Sequence, residues 1–156
     1  MKDENKISVV GGGLAGCEAA YQISKLGIDV DLYEMRPNTK TEAHNTEYLA
    51  ELVCSNSFRS DDKEYNAVGV LHEELRMSDS LIMKTADLNK VPAGSALAVD
   101  RDDFAKDINN TIKSNSKIKI INKEIKDLDE FRDQIVIVST GPVSYTHLRA
   151  HETPAN

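Results

Sequence analysis

Two small groups of residues in this chain have the types and spacing to do chemistry. The first is Cys54, in the stretch ELVCSNSFRS over 51–60, with Ser55, Asn56 and Ser57 beside it and Arg59 close behind. A thiol attacks as the thiolate, and hydrogen-bond donors and a nearby cation favour that form. Taken alone, a single cysteine in a polar loop is more often inert than catalytic. The second group is the run GGGLAG, in which Gly11, Gly13 and Gly16 make a G-x-G-x-x-G turn. Gly11 permits the tight turn, Gly13 lets a pyrophosphate come close to the backbone, and Gly16 lets helix and strand pack tightly. Gly12, Leu14 and Ala15 fill the turn and the helix start, whose unpaired N–H groups and partial positive charge suit phosphates. Further on stands Glu34, a carboxylate placed to accept hydrogen bonds from a ribose diol. It would repel a 2′-phosphate, so NADP is disfavoured and FAD and NAD remain. Arg36 either reaches toward the adenine side or is a solvated surface arginine.

The elements that must position these residues follow from pattern. KISVV (6–10) is a β-branched strand, residues 14–27 read as a helix stopped at Gly27, and IDVDLYE (28–34) is a second strand. Strand, glycine turn, helix and strand make a right-handed parallel βαβ unit. Residues 36–65 are polar and aperiodic, and a loop of that length is usually functional or disordered. It carries Cys54, and His44 as a possible aid to substrate positioning. Residues 66–83 show one helical face through Val68, Leu71, Leu75 and Ile82, with His72 on the solvated side. Residues 95–104 run from a strand into a helix capped by Asp100, with Asp103 at the third helical position. Helix capping and a contribution to the cofactor site account for Asp100 equally well, and Arg101 shares the second reading. Residues 117–125 form a lysine-bearing edge strand. Residues 134–141 form an apolar strand ending in Ser-Thr-Gly, where Thr140 and Gly141 resemble the second fingerprint of two-dinucleotide flavoproteins and favour FAD. The fold class expected is α/β. It is a Rossmann-like FAD-binding domain of that flavoprotein type, a parallel sheet with helices on both faces and an insertion, truncated.

Composition narrows the partners. Hydrophobic residues at 40% and charged residues at 29% suit a globular chain. A net charge of −7 argues against coating nucleic acid by charge alone. No apolar run reaches the roughly 20 residues of a membrane span, and MKDENK lacks the apolar stretch of a secretory signal. Cys17 and Cys54 make no disulfide framework, so the cytoplasm is the default compartment. The last residues, 143–156, follow no pattern and resemble the translation of a transposase adapter used in DNA library preparation. They are set aside as a non-native tail, which makes 1–142 the N-terminal part of an FAD-binding domain. His147 and His151, at helical spacing in that tail, are not read as metal ligands, and no metal site is expected.

With these elements in place the chain resembles the folate- and FAD-dependent tRNA (uracil-5-)-methyltransferases over essentially all of residues 5–142. The resemblance rests on GGGLAGCEAAYQ, VDLYEMRP, ELVCSNSFRS, AVGVLHEELR, VPAGSALAVDR and STGP. It implies a reduced FAD that takes a one-carbon group from methylenetetrahydrofolate and delivers it to C5 of the T-loop uridine of tRNA. NADH or NADPH would supply the electrons. Cys54 matches the family cysteine of the CSNS motif, either attacking uracil C6 or guarding the flavin-borne carbon. Cys17, in the first helix, is a packing residue. The fragment itself is expected to be inactive. Three rivals stand beside this reading: a GidA-type flavoprotein modifying the tRNA wobble uridine, a non-catalytic nucleotide-binding module, and an NAD-dependent dehydrogenase.

Overall fold

The computed structural model describes residues 6–141. In chain order the elements are β1 (Lys6–Val10), α1 (Leu14–Lys25), β2 (Asp29–Glu34), β3 (Ser57–Ser60), α2 (Ala67–Met77), α3 (Leu81–Leu88), β4 (Lys90–Val91), β5 (Ala96–Val99), α4 (Arg101–Ser114), β6 (Ile118–Asn122), a 3-10 turn (Leu128–Phe131) and β7 (Ile135–Val138). They fall into two compact units, one of residues up to Lys40 and from Lys117 onward, the other Thr41–Ser116.

The first unit is a four-stranded sheet of order β6-β2-β1-β7, parallel throughout. The chain steps outward from β1 to β2 to β6, then crosses back to place β7 on the other side of β1. Between β1 and β7 the strand order therefore reverses, and ligands of open α/β sheets bind at the carboxyl ends of such strands. The register aligns those ends, with Val10 beside Tyr33 and Val138. On one face Val10, Tyr33 and Val136 pack with Ile125, Leu128 and Phe131, and the Tyr33 and Phe131 rings meet edge to face at 5.1 Å. The opposite face, with Val9, Val30 and Leu32 sealed from solvent, is left for α1. That helix buries only small residues, Gly16, Cys17, Ala20 and Ser24, so its axis can lie close to the strands. It ends where Gly27, at φ 79, donates its N–H to the Ser24 carbonyl at 3.0 Å.

The second unit holds a three-stranded antiparallel sheet of order β3-β5-β4. Its core is Met83, Leu97, Val99, Phe104, Ile108 and Ile112, all essentially inaccessible, with Phe58 against Phe104 edge to face at 5.5 Å. α4 starts as the sequence predicts: the Asp100 carboxylate accepts from the backbone N–H groups of Asp102 and Asp103, both at 3.1 Å. Asp100→Ala should cost about 1 kcal/mol, read as a lower midpoint of chemical denaturation with an unchanged slope.

Three expectations differ from the structure. The single helix over 66–83 is two, α2 and α3, because Asp79 turns to φ 53 and Ser80 caps the next start by accepting from the Met83 N–H at 3.2 Å. The shared face is lost with it, since Leu71 is exposed and Ile82 belongs to α3. The polar stretch 36–65 is not all loop: it carries β3, paired to β5 with an irregular register between Ser57 and Ser60. Within it Leu49, Ala50 and Leu52 are buried, which anchors the residues leading to Cys54. His72 is the third case and is treated with the sites below. The tail residues, His147 and His151 among them, lie outside the described residues.

Candidate functional site

At the end of β1 the chain turns at Gly11 with φ +106, and its N–H donates to the Tyr33 carbonyl at 2.8 Å. A Cβ on Gly11 would stand 2.5 Å from the Ser139 carbonyl oxygen. One on Gly16 would stand 1.8 Å from the Gly11 carbonyl oxygen and 2.7 Å from Ser139 Oγ. Both positions exclude a side chain because backbone already fills the space. Gly13 differs: a Cβ there would meet nothing within 4 Å, so its absence leaves open space beside the turn. Gly13 is the N-cap of α1, no side chain caps the helix, and its first turn carries no acid. The N–H groups at Leu14 and Ala15 thus begin a helix whose positive end is open to an anion. The buried Cys17 thiol donates to the Gly12 carbonyl at 3.4 Å, so it braces the turn as well as filling space.

Glu34 closes the turn from β2. Its Oε2 accepts from the Gly12 N–H at 2.9 Å, and its Oε1 accepts from the Arg36 N–H at 3.0 Å and from Arg36 Nε at 2.8 Å. Burial alone would raise the carboxyl pKa. The Arg36 hydrogen bonds and charge, with the Gly12 N–H, outweigh it and hold the group below the usual carboxylate range. Arg36 itself is buried, at 2% exposure, so it is no solvated surface arginine. Its guanidinium meets Glu34 through Nε.

The end of β7 is stitched to the same turn. The Ser139 N–H donates to the Val10 carbonyl at 2.8 Å, and its hydroxyl lies 2.9 Å from the Val10 oxygen and 3.1 Å from the Gly11 oxygen. Thr140 and Gly141, at φ 81, follow directly. The structure thus brings together Gly11, Gly12, Gly13, Gly16, Glu34, Arg36 and the Ser-Thr-Gly turn. Ser139 opens the Ser-Thr-Gly turn read from the sequence, but its bonds to the glycine turn leave no sequence signal beyond a small residue directly after an apolar strand.

In the second unit Cys54 is exposed, and its thiol has no hydrogen-bond partner among the described residues. Its neighbours fold the loop: Asn56 Nδ2 donates to the Val99 carbonyl at 3.0 Å, Ser55 Oγ accepts from the Ser57 N–H at 3.1 Å, and Ser57 Oγ accepts from the Arg59 N–H at 3.1 Å. Arg59 sits at φ 71 in the irregular part of β3, with an exposed side chain. His44 is held by Thr41, whose hydroxyl lies 2.7 Å from its Nδ1.

The expectation of a solvated His72 is overturned: it is 5% exposed, with Nδ1 3.0 Å from Asp61 Oδ1. Asp61 also accepts from Arg76 at 2.9 Å and Lys90 at 3.3 Å. Burial raises the Asp61 pKa, but the bonds from Arg76, His72 and Lys90 pull it below the ordinary value. A lowered acid stabilises fully above its unfolded pKa of about 3.9, and the gain is lost as pH falls through the folded value. Asp61→Asn should cost about 2 kcal/mol near neutrality, roughly 4–8 °C of melting temperature at this chain size. In a melting series from neutral pH into acid, the gap between the unsubstituted chain and the variant should close.

Among the described residues no group of three or more His, Cys, Asp or Glu is placed to hold a metal ion, and no helix is long and apolar enough to cross a membrane.

A parallel sheet with a glycine turn at its switch point, a carboxylate at the end of the second strand and a second small-residue turn beside it is the arrangement of a Rossmann-type α/β fold. The profile of the family described as glucose inhibited division protein A matches residues 6–155; the chain belongs to that family. Proteins called methylenetetrahydrofolate–tRNA-(uracil-5-)-methyltransferase TrmFO are similar to it. The one from Bartonella tribocorum is 55% identical over 90% of this chain, that from Bartonella henselae 58% over 88%, and that from Exiguobacterium sp. 52% over 94%. The chain spans 30%, 29% and 33% of their lengths. A crystal structure of Aquifex aeolicus GidA superposes with a TM-score of 0.62 at 17% identity, covering 80% of this chain and 20% of that one. That likeness supports the fold.

Proposed function

We propose that this chain is the N-terminal part of a folate- and FAD-dependent tRNA (uracil-5-)-methyltransferase, acting on C5 of the T-loop uridine. The observation that carries this is the 52–58% identity, over about nine-tenths of the chain, to proteins bearing that name. The activity belongs to the longer protein, of whose length this chain spans about 30%.

The residues at the switch point fit an FAD dinucleotide. Gly13 leaves open backbone for the pyrophosphate, Leu14 and Ala15 begin the uncapped helix, and Gly11, Gly12 and Gly16 hold the turn that presents them. Glu34 receives the ribose, Arg36 supports it, and Thr140 and Gly141 pass close to the cofactor. Bound FAD supplies the means to carry a one-carbon group and electrons, with methylenetetrahydrofolate and NADH or NADPH as co-substrates. Cys54 is the catalytic thiol. Addition of its thiolate to uracil C6 would make C5 nucleophilic, and the thiol leaves once C5 has been substituted. Exposure and freedom from hydrogen bonds suit a group that must meet a large substrate. The acidic balance of this portion leaves most phosphate contacts to the rest of the protein, and a bacterial tRNA-modifying enzyme of this kind works in the cytoplasm.

The competing reading is a wobble-uridine enzyme, in keeping with the family profile. Two tRNA variants decide between them, assayed with a protein carrying these residues and the relatives' remaining length. Replacing the T-loop uridine with cytidine should abolish acceptance of the one-carbon group, and replacing the wobble uridine should not. The reverse pattern would overturn the proposal.

A further inference from the structure

We propose that Arg36 acts on the bound dinucleotide through Glu34, as a positioning residue that fixes the carboxylate facing the ribose. The inference rests on reading the switch point as the FAD site.

The geometry carries it. The Arg36 side chain is 2% exposed and that of Glu34 8%. A carboxylate offers about four lone-pair sites. Arg36 N–H and Nε–H occupy Oε1, and the Gly12 N–H occupies one site on Oε2. The position left open lies on Oε2, so the arginine determines which oxygen is free and where it points. The turn is fastened from the neighbouring strand as well. The Arg36 carbonyl accepts from Asn122 Nδ2, Asn38 Nδ2 donates to the Asn122 carbonyl at 2.8 Å, and the Lys123 N–H donates to the Glu34 carbonyl at 3.0 Å. Loss of the guanidinium would leave this buried carboxylate without its counter-charge, which is strongly disfavoured.

Among the described residues the glycine turn brings no charge, and Lys123, directly after β6, is paired with Glu130. Without the guanidinium, burial is opposed only by backbone N–H groups, and Glu34 takes up a proton at a higher pH. A protonated carboxyl holds the Gly12 N–H less well and presents a hydrogen where the ribose needs an acceptor. The role therefore shows as a change in the pH dependence of binding, which simple loss of a contact does not produce.

The test is FAD affinity of the full chain, by flavin fluorescence, from about pH 8 to about pH 5. The unsubstituted chain should bind with nearly constant affinity. Arg36→Gln should match it within a few-fold at the alkaline end and lose up to about tenfold per pH unit once Glu34 protonates. Arg36→Lys, which keeps the charge, should restore most of the flat profile. In a double-mutant cycle Arg36→Gln should add nothing to Glu34→Gln. A uniform loss at every pH in both Arg36 variants, or full additivity in the cycle, overturns the inference and assigns a direct contact. If the unsubstituted chain binds no FAD at any pH, the reading of the site falls and this inference with it.

Discussion

Gly16→Ala should unfold the glycine turn, lowering the melting temperature and abolishing dinucleotide binding together. The added Cβ would stand 1.8 Å from the Gly11 carbonyl oxygen, well inside contact distance. The obstructing atom is backbone, in a residue already held at φ +106, so it cannot swing aside as a side chain would. Either α1 withdraws from β1 or the turn deforms, and Ser139, bonded to the Val10 and Gly11 carbonyls, is displaced with it. Overpacking of this kind costs about 3 kcal/mol at the upper end of its usual range, roughly 6–12 °C for a chain of this size. Gly13→Ala is the matched control. A Cβ there meets nothing within 4 Å, so the fold should be preserved while FAD affinity drops at least tenfold, because the open space beside the turn is where the pyrophosphate must lie. Calorimetry and flavin titration on the two variants separate packing from ligand approach. Equal affinity for FAD in the Gly13 variant and the unsubstituted chain would mean the phosphates lie elsewhere.

Cys54→Ala should remove tRNA methylation and leave stability untouched. The thiol is exposed and unbonded, so its loss should move stability by less than about 0.5 kcal/mol. Its neighbours hold the loop without it, through Asn56 on Val99 and the Ser55 and Ser57 hydroxyls on backbone N–H groups. If the thiolate forms the bond that activates C5, turnover should fall by about a thousandfold or more, near 4 kcal/mol of barrier. Rates would be compared at saturating tRNA and folate in a protein of the relatives' full length. A rate within about threefold of the parent would remove Cys54 from the chemistry.

The parts of this molecule that could be read in the sequence are those with local causes. The β1–turn–α1–β2 unit follows from β-branched runs, spaced glycines and a stop at Gly27, and Asp100 caps α4 through residues two and three positions on. β6 lies at an edge of the parallel sheet, as its lysines suggest. The misses have distant causes. His72 looks solvated until Asp61, eleven residues earlier, folds back to meet it. The two-residue β4 and four-residue β3 are too short to show a period, and pairing with β5 is what makes them strands. The apolar spacing continues across Ser78–Ser80 and so reads as one helix over 66–83, although a serine before an apolar run is also a cap. Ser139 touches the glycine turn across more than a hundred residues of chain. Arg36 could be matched to a carboxylate two residues away, but its burial depends on the turn being fastened to β6.

The most direct test of the central claim follows one carbon atom. Methylenetetrahydrofolate labelled at its methylene group is supplied, with FAD and reduced nicotinamide, to a protein continuing these residues through the relatives' full length, and the tRNA is digested for mass spectrometry. The label should appear at C5 of the T-loop uridine and depend on added FAD. Label confined to the wobble uridine, or none in tRNA while FAD is bound, would contradict the account.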